Sequence, residues 1–205
     1  VISGGSSGIG EAAAIRIADA GGKALIVARD EEKLAEVRRT ITDRGGYAKT
    51  YSCDITDYAA NDKLARDILK EFGAVDILIN NAGRSIRRSI NLSYDRFHDF
   101  ERTIQLNYFA CVRLTMNLLP AMTARKSGHI VNISSIGVLT NAPRFSAYVS
   151  SKAALESFAR CAAAEFHDEG VHFTIINMPL VRTPMIAPTR IYDEMPTIIT
   201  PDEAA

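Results

Sequence analysis

Tyr148 and Lys152 stand four residues apart in the run Phe145-Ser146-Ala147-Tyr148-Val149-Ser150-Ser151-Lys152. On a helix, positions i and i+4 share a face, so phenol and ammonium can point into one pocket. A positive charge beside a phenol favours the phenolate. It is expected to draw the Tyr148 pKa down from about 10, towards what an acid or base needs near neutral pH. Ser135, thirteen residues earlier, closes the apolar run His129-Ile130-Val131-Asn132-Ile133-Ser134-Ser135. A Gly-rich loop, Ser3-Gly4-Gly5-Ser6-Ser7-Gly8-Ile9-Gly10, stands at the other end of the chain. A proton donor, a hydroxyl and a nucleotide loop together point to hydride transfer at a carbonyl. Taken alone, a Tyr–Lys pair four apart usually marks a helix with one buried and one solvated edge.

The loop follows a short strand and opens a helix. Glycines permit the tight turn and bring backbone close to a pyrophosphate, while the helix N-terminus supplies N–H donors and partial positive charge. Its spacing is Gly-x3-Gly-x-Gly, not the G-x-G-x-x-G fingerprint, so the flanking strand and helix carry the reading. The second strand ends Val27-Ala28-Arg29-Asp30. Where an acidic residue would bond the adenosine ribose of NAD, this chain has Ala28, and Arg29 next to it can clamp a 2′-phosphate. NADP(H) is therefore the expected cofactor. The alternative is that Arg29 merely tops the strand; Asp30 is expected to cap the next helix.

These side chains need a scaffold. Strands are expected at Val1-Ile2, 23–28, 48–53, 75–80, 129–133 and 172–177, with helices near 8–20, 31–44, 59–72, 95–124 and 146–168. Runs such as Ala24-Leu25-Ile26-Val27 and Asp76-Ile77-Leu78-Ile79 are nearly or wholly apolar rather than alternating, as a parallel sheet covered on both faces requires. Alternating β and α elements with right-handed crossovers make an α/β, Rossmann-like doubly wound parallel sheet. One domain over 1–205 is expected.

Composition narrows the function classes. The 24 basic and 24 acidic residues balance, leaving no electrostatic footprint for nucleic acid. No segment is apolar for long enough to span a membrane. Cys53, Cys111 and Cys161 have no metal-like spacing and read as buried thiols of a reducing cytoplasm. No metal is expected, and His98, His129, His167 and His172 read as structural or solvated. Val1-Ile2-Ser3 and Thr200-Pro201-Asp202 look like a strand tail and a helix start, so the chain reads as truncated at both ends.

With the glycine loop at 3–10, Asp54 after the third strand, Asn80-Asn81-Ala82-Gly83, Asn107, Ser135 and Tyr148-x3-Lys152, the chain resembles the short-chain dehydrogenase/reductase family throughout. The resemblance implies that Tyr148 protonates the carbonyl oxygen and Ser135 polarises it. It implies that Lys152 binds the nicotinamide ribose and lowers the Tyr148 pKa, and that Asn107 holds a water of a proton relay. Gly4, Ser6, Ser7, Gly8, Ile9 and Gly10 would hold the pyrophosphate end, with Arg29 on the 2′-phosphate. Asp54 and the Ile55 backbone would meet the adenine, and Asn81, Ala82 and Gly83 would lie along the cofactor. Pro179, Val181 and Thr183 would meet the nicotinamide and phosphates. The family usually has Pro-Gly after the last strand; here Leu180 stands in the glycine's place and narrows the backbone there.

A narrower resemblance, to bacterial fatty acyl-CoA reductases, rests on four stretches. They are Ala82-Gly83-Arg84-Ser85-Ile86-Arg87-Arg88, Tyr94 to Asp99, Ser134 to Phe145, and Met178-Pro179-Leu180-Val181-Arg182-Thr183-Pro184-Met185, the Leu180 departure included. It implies reduction of a fatty acyl-CoA thioester to an aldehyde, in lipid metabolism. Arg84, Arg87 and Arg88 follow the fourth strand's carboxyl end, where open α/β sheets bind ligands. They would hold coenzyme A phosphates, or form a solvated basic loop paired with Asp95 or Glu101. The Pro-punctuated apolar tail, about 183–205, suits a lid over an acyl chain or an oligomer contact. Helices 95–124 and 146–168 carry surplus apolar faces, so a homo-oligomer is expected. A generic ketoreductase or alcohol dehydrogenase is the alternative within this chemistry. A non-catalytic NADP(H)-binding regulator would need a broken tetrad, and all four residues are present.

Overall fold

The computed structural model describes residues 1–189, 192 and 198–205. Part of the expected lid, 190–191 and 193–197, lies outside the described residues. The chain packs as two compact units, Val1–Asp54 with Met178–Ala205, and Ile55–Asn177.

In the first unit, β1 (Ile2–Ser3), β2 (Lys23–Ala28) and β3 (Tyr47–Ser52) run parallel, with Ile2 opposite Ile26 and Leu25 opposite Lys49. Ala24, Leu25, Ile26 and Val27 are all buried, which is why that strand shows no alternation. Two helices follow from local chemistry. α1 (Gly8–Asp19) leaves the glycine loop, and α2 (Glu31–Asp43) is capped by Asp30, whose side chain accepts the Lys33 N–H at 3.1 Å.

The second unit holds α3 (Tyr58–Phe72), β4 (Ile77–Asn80), α4 (His98–Ile104), α5 (Cys111–Ala124), β5 (Gly128–Ser135), α6 (Ile136–Thr140), α7 (Ser146–Glu165) and most of β6 (Val171–Met178). β4 and β5 are parallel, Asn80 opposite Asn132. The strands form one six-stranded sheet in the order β3-β2-β1-β4-β5-β6, the doubly wound arrangement expected. A short α8 (Pro201–Ala204), begun by a Thr200–Glu203 capping box, closes the described chain.

The helix expected over 95–124 departs from expectation. It begins at His98, and between α4 and α5 the turns widen into a π-helix over Gln105–Ala110. Such wide turns recur at functional sites, and this one contains Asn107.

Candidate active site

Asn107 is fully buried, and its amide is used at both ends. Its Oδ1 accepts the Arg84 N–H at 2.8 Å; its Nδ2 donates to the Arg84 carbonyl at 2.9 Å and to Ser151 Oγ at 2.9 Å. The widened turn thus clamps the chain that leaves β4. Gly83 borders both side chains: a Cβ there would meet Asn107 Oδ1 and Lys152 Nζ at 3.5 Å, ordinary van der Waals contact.

Lys152 is 3 % exposed, and its ammonium donates to the Ile133 carbonyl at 2.7 Å. Burial pushes its pKa down from the usual lysine value, opposed by the Cys111 thiol and the Glu156 carboxylate. Cys111 itself is pushed up to about 11 by burial, despite Lys152 nearby, so it is an inert thiol. Cys53 is half-buried and Cys161 exposed, correcting the expectation of three buried thiols.

The direction for Tyr148 is opposite to that expected. Burial raises its pKa above the usual phenol value, and the counteracting influence is a hydrogen bond from Ser135, not the Lys152 charge. One of the ammonium's three donors goes to Ile133. Ser135 ends β5 and caps α6, its Oγ accepting the Gly137 N–H at 3.1 Å. Tyr148, Ser135, Lys152 and Asn107 therefore all fall within the second unit, joined through Ser151, Gly83 and the end of β5.

Two residues outside the expected set complete this network. Glu156, 5 % exposed, accepts from Ser134 Oγ and from Asn177 Nδ2 at 2.7 Å, and Asn177 Nδ2 also reaches the Ser135 carbonyl at 3.3 Å. The signal was its spacing, one further i+4 step from Lys152. Ser151 bonds Asn107 and the Tyr148 carbonyl, the latter at 2.7 Å.

In the first unit the glycine loop makes a cradle that fits a phosphate. Gly4 and Gly8 have φ of 66° and 59°, which side-chain-bearing residues resist. A Cβ on Gly5 would strike Ile26 at 2.5 Å, and one on Gly8 would approach Thr183 Cγ2 at 3.0 Å. The loop and Thr183 are thus neighbours. Ser7, at the α1 N-terminus, makes no side-chain cap bond, so its hydroxyl and the first helical N–H groups are available to an anion. Ser6 and Ile9 are half-buried within this turn and Gly10 is buried in the first turn of α1.

Arg29 lies 3.8 Å from Asp54, an exposed pair of small energetic weight. Ile55 opens the second unit, buried, its carbonyl accepting the Asn61 amide at 3.0 Å. Asn81 and Ala82 are half-buried beside Gly83. Pro179 is exposed, and Val181 is buried in a parallel bridge to Ile199. The bridge bonds run from Arg182 N–H and to the Leu180 carbonyl, so they bypass the Val181 N–H. Leu180 adopts no positive φ, so a side chain is tolerated where the resemblance expects glycine.

The arginine segment also departs from expectation. Arg88 pairs with Asp99 at 3.3 Å, not with Asp95 or Glu101. Arg84 is tied through its backbone to Asn107, and Arg87 is exposed. Among the described residues no group of three metal-ligating side chains is present, and no helix is long and apolar enough to cross a membrane.

Known proteins share this arrangement. Residues 1–193 match the short chain dehydrogenase family. A fatty acyl-CoA reductase of Acinetobacter baylyi is 59 % identical over 205 residues, covering all of this chain and 69 % of that protein. An uncharacterised oxidoreductase of Mycobacterium bovis is 55 % identical, covering all of this chain and 61 % of its own length. A metagenomic short-chain oxidoreductase solved in complex with NADP superposes with a TM-score of 0.84 at 29 % identity, over 99 % of this chain and 84 % of that one. With this sheet, this glycine cradle and this Ser–Tyr–Lys cluster, the chain belongs to the short-chain dehydrogenase family.

Proposed function

We propose that the protein is an NADPH-dependent reductase whose substrate is a fatty acyl-CoA thioester, which it converts to an aldehyde. The observation that carries the reading is the pairing of a half-buried Tyr148 with Ser135, one helical turn from a buried Lys152, in a chain 59 % identical to a fatty acyl-CoA reductase. When bound, NADPH supplies the hydride. The cradle at Gly4–Gly10 holds its pyrophosphate, Arg29 its 2′-phosphate, and Asp54 and Ile55 its adenine. Asn81, Ala82 and Gly83, with Pro179, Val181 and Thr183, hold the rest.

Tyr148, kept protonated by burial, gives its proton to the substrate's carbonyl oxygen. Ser135 donates to the same oxygen and orients the phenol. Lys152 holds the nicotinamide ribose, and Asn107, by fixing Arg84, keeps Gly83 open against it. The hemithioacetal then loses coenzyme A as the thiol, leaving the aldehyde. Assays of NADPH oxidation against acyl-CoA, aldehyde and ketone panels test the reading. A protein that reduces ketones and leaves acyl-CoA untouched is a ketoreductase instead.

Arg29→Ala is expected to weaken NADPH at least about tenfold more than NADH, because a charge-assisted bond to phosphate is worth about 1.5–3 kcal/mol. The Asp54 pair opposes this little, being exposed. Equal losses for the two cofactors, measured by titration, would remove Arg29 from the 2′-phosphate.

The expected homo-oligomer also belongs to this reading. Phe109 and Met116, seven residues apart and so on one helical face, are 44 % and 59 % exposed. Light scattering at micromolar concentration is expected to give a dimer or tetramer, reduced towards monomer in Met116→Glu. A wild-type monomer overturns it.

A further inference from the structure

Asp99, at the start of α4, is buried, its side chain 3 % exposed, and gathers more positive charge than it can neutralise. Arg88 Nε and Arg96 Nε each lie 3.3 Å from its Oδ2. The Arg102 guanidinium and His98 Nε2, the latter at 3.4 Å, take its Oδ1. Among the described residues the three arginines pair with Asp99 and with no other acid; Asp95 and Glu101 are exposed and take no part. Three guanidiniums on one carboxylate leave two positive charges over. Their side chains are 35 %, 38 % and 47 % exposed, so none of the three is sealed from solvent, although Arg88 Nε itself is buried. Like charges held this close repel, and a second anion would relieve them.

The Arg88 end of the cluster is tied to the segment that leads into α7, the helix that carries Tyr148. The Arg88 N–H donates to the Arg144 carbonyl at 2.7 Å, and Arg144 is held there at a φ of 70°. Arg144 lines a cavity of about 560 Å³ with Ile90, Ala142, Pro143 and Val149. One wall, Val149, follows Tyr148 in sequence, and the lining begins at Ser89, next to Arg88. The cavity is mostly apolar, and the cation in its lining is Arg144, to whose carbonyl the Arg88 N–H is bonded.

From this we infer that Arg88, Arg96 and Arg102 form an anion subsite that takes the phosphates of the thioester substrate's carrier, Asp99 acting as the internal anion that spaces them. The inference rests on the thioester reading above. It replaces the Arg84–Arg87–Arg88 grouping with one in which Arg88 is shared. The shared chemistry is a phosphate ester attached to pantetheine, found in coenzyme A and in the phosphopantetheine of a carrier protein.

The test uses the full-length protein with saturating NADPH and three octanoyl thioesters: of coenzyme A, of 4′-phosphopantetheine and of pantetheine. The quantity read is the ratio of kcat/KM for each phosphorylated substrate to that for octanoyl-pantetheine. In Arg96→Ala and in Arg102→Ala, each of which leaves two guanidiniums on Asp99, the coenzyme A ratio is expected to fall about tenfold or more. The loss lies in KM and shrinks as salt rises. A fall confined to coenzyme A assigns the site to its nucleotide phosphates; a fall for phosphopantetheine as well assigns it to the phosphate next to pantetheine. A ratio unchanged in both variants, with thioesters still reduced, overturns the subsite and leaves the thioester reading standing. No thioester reduced by the wild type overturns both. Thermal melting of each variant separates these results from unfolding, and Arg96→Lys, which restores charge, is expected to recover part of the ratio.

Discussion

Replacing Tyr148 by Phe is expected to lower kcat for reduction by about 10²–10⁴-fold, the usual weight of a positioned acid. The affinity for NADPH should change little. The ring and its packing remain; what is lost is the phenolic proton and the hydrogen bond with Ser135. Burial raises the phenol's pKa, so the wild type carries the proton throughout the neutral range in its free form. Reduction should therefore hold its rate across neutral pH and fall as pH climbs towards the phenol's titration. Tyr148→Phe should show low activity without that alkaline limb. Stopped-flow NADPH oxidation and fluorescence titration measure the two quantities separately. A variant that retained more than a small fraction of wild-type kcat would place the acid elsewhere.

The fold was legible because its signals are local. Ala24 to Val27 is apolar without alternation since both faces of β2 are covered, and Asp30 caps α2 as its type and place suggest. The glycine loop was legible for the same reason, its positive φ at Gly4 and Gly8 being a backbone demand written in residue type. What sequence spacing cannot carry is the destination of a side chain. Tyr148 and Lys152 do share a helix face, but spacing does not tell that the ammonium is bonded to the Ile133 carbonyl, nor that burial outweighs its charge at the phenol. Nor does it tell that Asn107, in the π-helix over Gln105–Ala110, bonds Arg84 and Ser151, partners far from it in sequence. Likewise Asp99, rather than Asp95 or Glu101, collects the arginines because it is the buried acid.

Lys152→Ala is expected to lose on two counts at once, with kcat reduced by about 10²-fold or more and NADPH bound at least about tenfold more weakly, since a charge-assisted bond to the ribose goes. The structure adds a third consequence. The Ile133 carbonyl, which now accepts from Nζ at 2.7 Å, loses that donor, and a hydrogen bond from a charged group is worth about 1.5–3 kcal/mol. Removing a buried ammonium returns part of this, because burial already works against its charge. The melting temperature should therefore move by only a few degrees in either direction while activity collapses. Lys152→Met separates the contributions: it keeps the stem in place and omits the charge. If Lys152 acts through its ammonium, Met and Ala should be equally inactive and equally poor at binding NADPH. If Met restored cofactor binding, Lys152 would be acting by filling space between Gly83 and the end of β5, and the ribose contact would have to be assigned to another residue.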